Sequence, residues 1–313
     1  MVKNHGYIHS SIPTSALVYG GLGDYAVPDR DWRPFLPEYE SQLEAKPEDF
    51  ETMACVTFAA LNCIETSLKK IQDEEFNFSD RFTAKMSGTT NQGNTLWSVM
   101  QSISTDGFVK ESVWSHDAKN FIEYYKEIPQ EVVAIGNRAL SLLKITPQFV
   151  PADPDVMYGA LGNYPLQIAI HAYAKAGKNG IHPRSSSPPN HSVMISRAVK
   201  GKYFEVYDHY NRNDPYHKIA WDTLFWGVVL FDVKKNPIML FKENHIYQLV
   251  DPPGGFYLFA KGIMMKIETA DHVLAWLFRA GADWSKKTVA ITAADLEEIE
   301  IYDFKGKRIG KKK

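Results

Sequence analysis

The hydrophobic period changes once along this chain, near Pro165, and that change limits the fold more than any other feature. Before it, apolar residues recur at helical spacing. Phe58, Leu61, Asn62, Glu65 and Leu68 follow one another at three- and four-residue steps, with Thr52 as the predicted N-cap. Leu96, Val99, Met100 and Ile103 mark one face of a second helix over 95–105, closed by Asp106-Gly107. A third helix is predicted over 130–143 and a short fourth over 157–161. After Pro165 the texture is that of strands, at 166–172, 191–196, 203–208 and 225–231, with Gly201-Lys202 as a hairpin turn. Helices first and antiparallel strands second predict an α+β arrangement.

The chain has 313 residues, enough for about two domains. Residues 1–40, rich in Gly, Pro and aromatic side chains, read as an extended N-terminal arm. Residues 41–234 form the predicted body, and 235–313 a small C-terminal α+β domain. In that domain strand-like runs at 246–250 and 256–260 flank the turn signal Pro252-Pro253-Gly254-Gly255, followed by an amphipathic helix at 270–280 and a solvated basic tail from Lys305.

A 44% hydrophobic and 23% charged composition is that of an ordinary soluble globular protein. The formal net charge of −2 supplies no general field for nucleic acid, so none is expected as a partner. No apolar run is long enough to span a bilayer, and the first residues lack the apolar core of a secretory signal. A cytoplasmic protein is expected, or one carried in a particle. No Cys-x-x-Cys, His-Glu-x-x-His or Gly-x-Gly-x-x-Gly motif is present, so no metal and no cofactor is expected.

The two cysteines, Cys55 and Cys63, lie in one helical stretch. Eight helical residues rise about 12 Å, beyond the roughly 7 Å between Cα atoms that a disulfide allows. A thiol attacks only as thiolate, and a helix N-terminus favours that anion. Cys55 begins the helical pattern, whereas Cys63 lies two turns further in. Cys55 is therefore the candidate nucleophile, although both cysteines also fit as small buried apolar groups. A nucleophile needs a base, and the base an orienting group. Asn190-His191 opens a strand, and one hairpin later comes Asp208, placed to return beside the His191 ring.

The order of these parts resembles the papain family of cysteine peptidases, in the style of its divergent phage- or bacterial-type members. Ala54-Cys55-Val56-Thr57-Phe58-Ala59 resembles the family's nucleophile helix. The stretch from Asn94 to Trp114, with Gly107 and Glu111, resembles its second helix and following turn. Asn163 to Ile170 resembles the strand lining the specificity pocket, and Asn190 to Ile195 the strand bearing the base. Tyr207-Asp208-His209-Tyr210 falls where the family has Asn-Ser-Trp.

The resemblance implies a two-lobed fold, with a helical lobe and an antiparallel β-barrel-like lobe. It implies a Cys55–His191–Asp208 triad that opens amides through a thioacyl intermediate. It also implies substrate contacts at Ala169, Asn190, Gly93 and Trp97. The expected partner is a peptide or protein substrate, cell-wall peptide included. The chain departs from the family where an oxyanion-hole Gln should stand shortly before the cysteine. Residues 49–52 contain none. Gln42 fills the role if residues 43–48 bulge out as an insertion. Two readings therefore stand: a cysteine peptidase or amide hydrolase, and a catalytically degenerate structural or binding protein. In the second, the C-terminal domain would serve attachment, for example to an assembly partner in a phage virion.

Overall fold

The computed structural model describes residues 4–20, 30–45, 49–73, 75–235, 245–251, 253–260, 263–267, 289–292, 301–302 and 308–310. The chain divides into two compact units, residues 1–141 with 145–233, and residues 142–144 with 234–313. In the first, the described helices are α1 (Cys55–Gln72), α2 (Asp80–Met86), α3 (Leu96–Thr105), α4 (Phe121–Tyr124), α5 (Gln130–Leu142) and α6 (Pro154–Leu161). A two-stranded antiparallel sheet joins β1 (Leu43–Ala45) to β2 (Asp49–Glu51). The larger sheet is built from β3 (Leu143–Phe149), β4 (Leu166–Ile170), β5 (Ile181–His182), β6 (His191–Val199), β7 (Tyr203–Tyr207), β8 (Tyr216–Ala220) and β9 (Gly227–Lys235). Their spatial order is β3-β9-β4-β6-β7-β8-β5. This is the predicted α+β arrangement, helices preceding strands.

Helix α1 is buried on every face from Cys55 to Leu68, as expected of a helix held between a sheet and other helices. It packs on β6 and meets α2 and α3 on its other sides. It begins at Cys55, not after Thr52. Met53 takes a left-handed backbone (φ 59°) that interrupts the helix, and the Thr52 hydroxyl donates to the Gln42 carbonyl at 3.0 Å. Thr52 is thus no N-cap. Ala54 takes that position with no side-chain acceptor, and no acidic residue occupies the first turn. The N-terminal end of the helix dipole is left uncompensated by side chains where Cys55 stands. Helix α3 forms as its spacing predicts, with the Thr95 side chain accepting the Ser98 N–H. Helices α2 and α4 were not predicted. Ser79 and Asn120 cap them.

The β6–β7 hairpin turns at Gly201 (φ 70°), and a bulge sets its register. Near the turn, Ala198 faces Phe204 and Arg197 faces Glu205. Beyond the bulge, Ile195 faces Val206 and Met194 faces Tyr207, leaving Ser196 unpaired in the ladder. Continued by one residue, the second register puts Asp208 opposite Val193, on the face shared with His191. Without the extra residue Asp208 would lie opposite Met194 and point to the other face. The bulge is secured on two sides. Ser196 Oγ donates to the Glu205 carbonyl at 3.1 Å, and the Trp32 N–H donates to the Ser196 carbonyl at 2.8 Å. Trp32 is itself buried, with its indole N–H on the Leu161 carbonyl at 2.8 Å.

The second unit holds a six-stranded sheet of β10 (His245–Asp251), β11 (Pro253–Ala260), β12 (Ile263–Ile267), β13 (Val289–Thr292), β14 (Ile301–Tyr302) and β15 (Arg308–Gly310), in the order β13-β10-β11-β12-β14-β15. The strand-like runs at 246–250 and 256–260 are strands. Pro253, Gly254 and Gly255 belong to β11, not to a turn, because the ladder with β10 already pairs Pro253 with Val250. Arg308–Gly310 is likewise a paired strand where a solvated tail was expected. The helix predicted at 270–280 lies outside the described residues. Among the described residues no helix is long and apolar enough to cross a membrane.

Candidate active site

Cys55, the first residue of α1, and His191, the first residue of β6, meet where the helix crosses the sheet. Gln167 of β4 ties the two elements together, its amide donating to the Val56 carbonyl at 2.8 Å and to Ser192 Oγ at 3.0 Å. The His191 ring directs Nε2 at the Asp208 carboxylate, 3.0 Å from Oδ1 and 3.1 Å from Oδ2. Nδ1 is buried and meets no nitrogen or oxygen partner; the Cys55 thiol is the group that couples to this side of the pair. All three residues are 2% exposed or less. Asp208 is held by more than His191. Tyr173 donates its hydroxyl to Oδ2 at 2.6 Å, and the His209 N–H donates to Oδ1 at 2.7 Å.

Burial opposes charge on each member, and the partners oppose burial. Burial raises the Cys55 thiol above its ordinary value, while the hydrogen bond and charge of His191 pull it down. Burial disfavours the imidazolium too, but the Asp208 carboxylate and the hydrogen bonds to Asp208 and Cys55 lift His191 to about 10. For Asp208 the facing imidazolium outweighs burial and holds the carboxyl below its usual range. Cys63 has no such partner, and burial alone pushes its thiol well up.

Gln42 ends at the same place. The hairpin β1–β2 takes up the residues between Gln42 and Glu51. The buried Gln42 amide donates to Glu51 Oε1 at 2.7 Å, Tyr210 Oη at 3.0 Å and the His5 carbonyl at 3.1 Å. Tyr210 lays its ring 5.2 Å from that of His191 and donates to Glu51 Oε2 at 2.6 Å.

The N-terminal segment lies across these groups. The His5 N–H donates to the Asn190 carbonyl at 2.9 Å, and its ring stands 5.1 Å from that of His191. Gly6 accepts the Asn94 N–H at 2.8 Å, and the Ile8 N–H donates to the Asn94 carbonyl at 2.8 Å, a parallel strand pairing centred on Tyr7. The approach is so close that a Cβ on Gly6 would stand 2.3 Å from the Met53 carbonyl oxygen, and one on Gly93 2.0 Å from the Gly6 carbonyl oxygen. Both glycines have positive φ.

Of the four residues expected to contact substrate, Gly93 and Asn190 touch this segment. Ala169 is buried in β4 opposite Ser192 and accepts the Trp226 N–H. Trp97 stacks on Phe149, with centroids 6.5 Å apart. His171 donates to or accepts nothing at the triad, and its Nδ1 faces the Pro188 carbonyl at 2.9 Å. Glu51, Tyr173 and the His5–Ile8 strap were missed by sequence reasoning. Glu51 lay in plain sight four residues before Cys55, but only the hairpin turns it toward Gln42. Glu40, Glu111 and His116 also gather, with ligand atoms within 4.8 Å of one another. Asn77 donates to Glu40 Oε1 and His116 Nδ1 pairs with Glu111 Oε1 at 2.9 Å, while Glu111 Oε2 is buried without a hydrogen-bond partner.

No family model and no curated protein matches the sequence. Solved structures do match the fold. The bromelain protease of Ananas comosus, in complex with the E64 inhibitor, is 18% identical with a TM-score of 0.50, over 66% of this chain and 100% of that one. Xylellain, a cysteine protease from Xylella fastidiosa, is 16% identical with a TM-score of 0.53, over 74% of this chain and 96% of that one. The chain has the papain-like fold.

Proposed function

We propose that this protein is a cysteine peptidase or amide hydrolase whose catalytic body is residues 41–234. Cys55 attacks a substrate carbonyl, and His191 protonates the departing amine and then activates water to release the thioacyl enzyme. Asp208 orients the imidazole. Gln42 donates to the oxygen that becomes negative in the tetrahedral intermediate. The observation that carries the reading is the division of the His191 ring, with Nε2 bound to Asp208 at 3.0 Å and Nδ1 left for the thiol of Cys55. Both solved structures cited above are of proteases, and peptide or protein is the substrate class proposed. Asn190 would hold the substrate backbone, since its carbonyl already accepts the His5 N–H, and Gly93 would leave room for it, since the Gly6 backbone already packs there. Ala169 and Trp97 would line the walls on either side.

A second reading, an inert papain-like binding protein, draws on one observation: Cys55 is only 1% exposed. Digestion of a peptide library by the wild type and by Cys55→Ala separates the two. The hydrolase gives cleavage that Cys55→Ala lacks. Identical, uncut libraries favour the binding protein.

A further inference from the structure

We infer that Glu51 is a positioning residue for the oxyanion donor: with Tyr210, its carboxylate fixes which way the Gln42 amide faces. The inference rests on the hydrolase reading and names a part that this reading does not contain. A carboxamide has two ends of nearly equal size, and only the NH₂ end stabilises an oxyanion. Gln42 is wholly buried, and its Oε1 finds no hydrogen-bond partner. The amide is therefore not held from its oxygen side. It is held from the nitrogen side: its two hydrogens are shared among Glu51 Oε1 at 2.7 Å, Tyr210 Oη at 3.0 Å and the His5 carbonyl at 3.1 Å, and an oxyanion would take the hydrogen now given to His5 of the strap. Turned over, the amide would set its carbonyl oxygen against the Glu51 carboxylate, two acceptors at hydrogen-bond distance with no proton between them. Glu51 excludes that orientation.

Glu51 is fixed in its turn. The Met53 N–H donates to Oε1 at 3.2 Å and the Tyr210 hydroxyl to Oε2 at 2.6 Å. Glu51 pairs with Leu43 at the open end of the hairpin, and just beyond that pair the Gln42 amide meets its carboxylate. The left-handed turn at Met53 then leads from Glu51 into α1 at Cys55. One network thus links the start of the nucleophile helix, the amide, and the tyrosine beside the His191 ring. It has a drawback that argues for a purpose. A carboxylate near Cys55 works against the thiolate, and its charge raises the thiol. A residue kept only for packing would not need that charge.

Two probes separate orientation of the amide from reactivity of the thiol. Iodoacetamide reads the thiolate of Cys55. N-acetylglycinal, a peptide aldehyde without a side chain, reads the oxyanion site: the thiol adds across its C=O, the sulfur–carbon bond forms, and the carbonyl electron pair passes to oxygen, which takes up the thiol proton. In the full-length protein, Glu51→Gln is expected to weaken aldehyde binding about tenfold or more, since a whole oxyanion donor is worth about 10²–10³ in rate. Its alkylation rate at pH 7 is expected to equal or exceed that of the wild type. Tyr210→Phe, which keeps the ring and removes the hydroxyl, is expected to show a smaller loss of the same kind. Glu51→Gln with Gln42→Ala is expected to lose no more than Gln42→Ala alone, because Glu51 acts through Gln42. Unchanged aldehyde affinity in Glu51→Gln, or losses that add in the double variant, overturns the inference. A wild type that neither alkylates at Cys55 nor binds the aldehyde overturns the hydrolase reading itself.

Discussion

Asp208 reaches His191 at 3.0 Å one residue beyond the end of β7, whose ladder with β6 slips by one residue at Ser196. A regular hairpin of the same length would turn the carboxylate away from the imidazole. The geometry at the thiol therefore depends on a carbonyl and hydroxyl about two turns of pleat away, held by Trp32 and Glu205.

The carboxylate also sets the charge of the imidazole. Asp208→Asn keeps an acceptor for the ring and removes the negative charge. The imidazole of His191, lifted to about 10 in the wild type, is expected to titrate nearer its ordinary value of about 6.5 in the variant. Because the folded value is raised, the pair contributes stability in full below about pH 6.5 and loses it as pH rises through about 10. Imidazole proton resonances followed against pH check this. Equal titration midpoints in the two proteins contradict it.

Gly6 sits where a side chain has no room. Gly6→Ala places a methyl against the Met53 carbonyl and forces an L-residue to a φ of 101°. An L-residue in left-handed backbone costs about 1–2 kcal/mol, and about 1.4 kcal/mol is tenfold in population. The strap is expected to leave the site more often, and Cys55 to alkylate about tenfold faster. Cys63, buried in the helix interior, should be unaffected. An unchanged rate at Cys55 would show that the strap does not limit access.

Glu65 is a buried carboxyl on α1 whose Oε1 accepts the Phe78 N–H at 2.6 Å. Burial raises it well above the ordinary range, with the charges of Glu40, Glu111 and Glu75 adding to that. The folded state then keeps a proton that the unfolded state releases. Stability is full below the ordinary glutamate range and falls as pH rises towards the folded value, by up to about 1.4 kcal/mol per pH unit. Glu65→Gln keeps the acceptor and removes the titration. Its melting temperature should match the wild type near pH 4 and exceed it increasingly at higher pH. A constant difference across that range would remove the explanation.

The residues proposed to carry chemistry were legible because their neighbours have simple patterns. Cys55 stands at the start of a helical period, His191 at the start of an apolar strand, and Asp208 follows a one-turn hairpin. Their alignment was not legible, since no spacing announces that Ser196 leaves the ladder. Gln42 could be named but not placed, because β1 and β2 have three residues each, too few for an alternation to show. Helix α2 left a signal that went unused, Ser79 as N-cap ahead of Asp80, but seven residues hold too few turns for a period. The strap left none. Gly6 is a single glycine whose meaning lies in the Met53 and Gly93 backbones that approach it.

Of the two buried thiols, only Cys55 is proposed to be activated, and by a single imidazole. Timed alkylation with iodoacetamide at neutral pH, mapped to Cys55 and Cys63 by mass spectrometry in the wild type and in His191→Ala, tests it most directly. Cys55 is expected to react well ahead of Cys63 in the wild type, and the lead to disappear in His191→Ala. Equally slow reaction of both cysteines in the wild type, or a lead that survives the loss of His191, would contradict it.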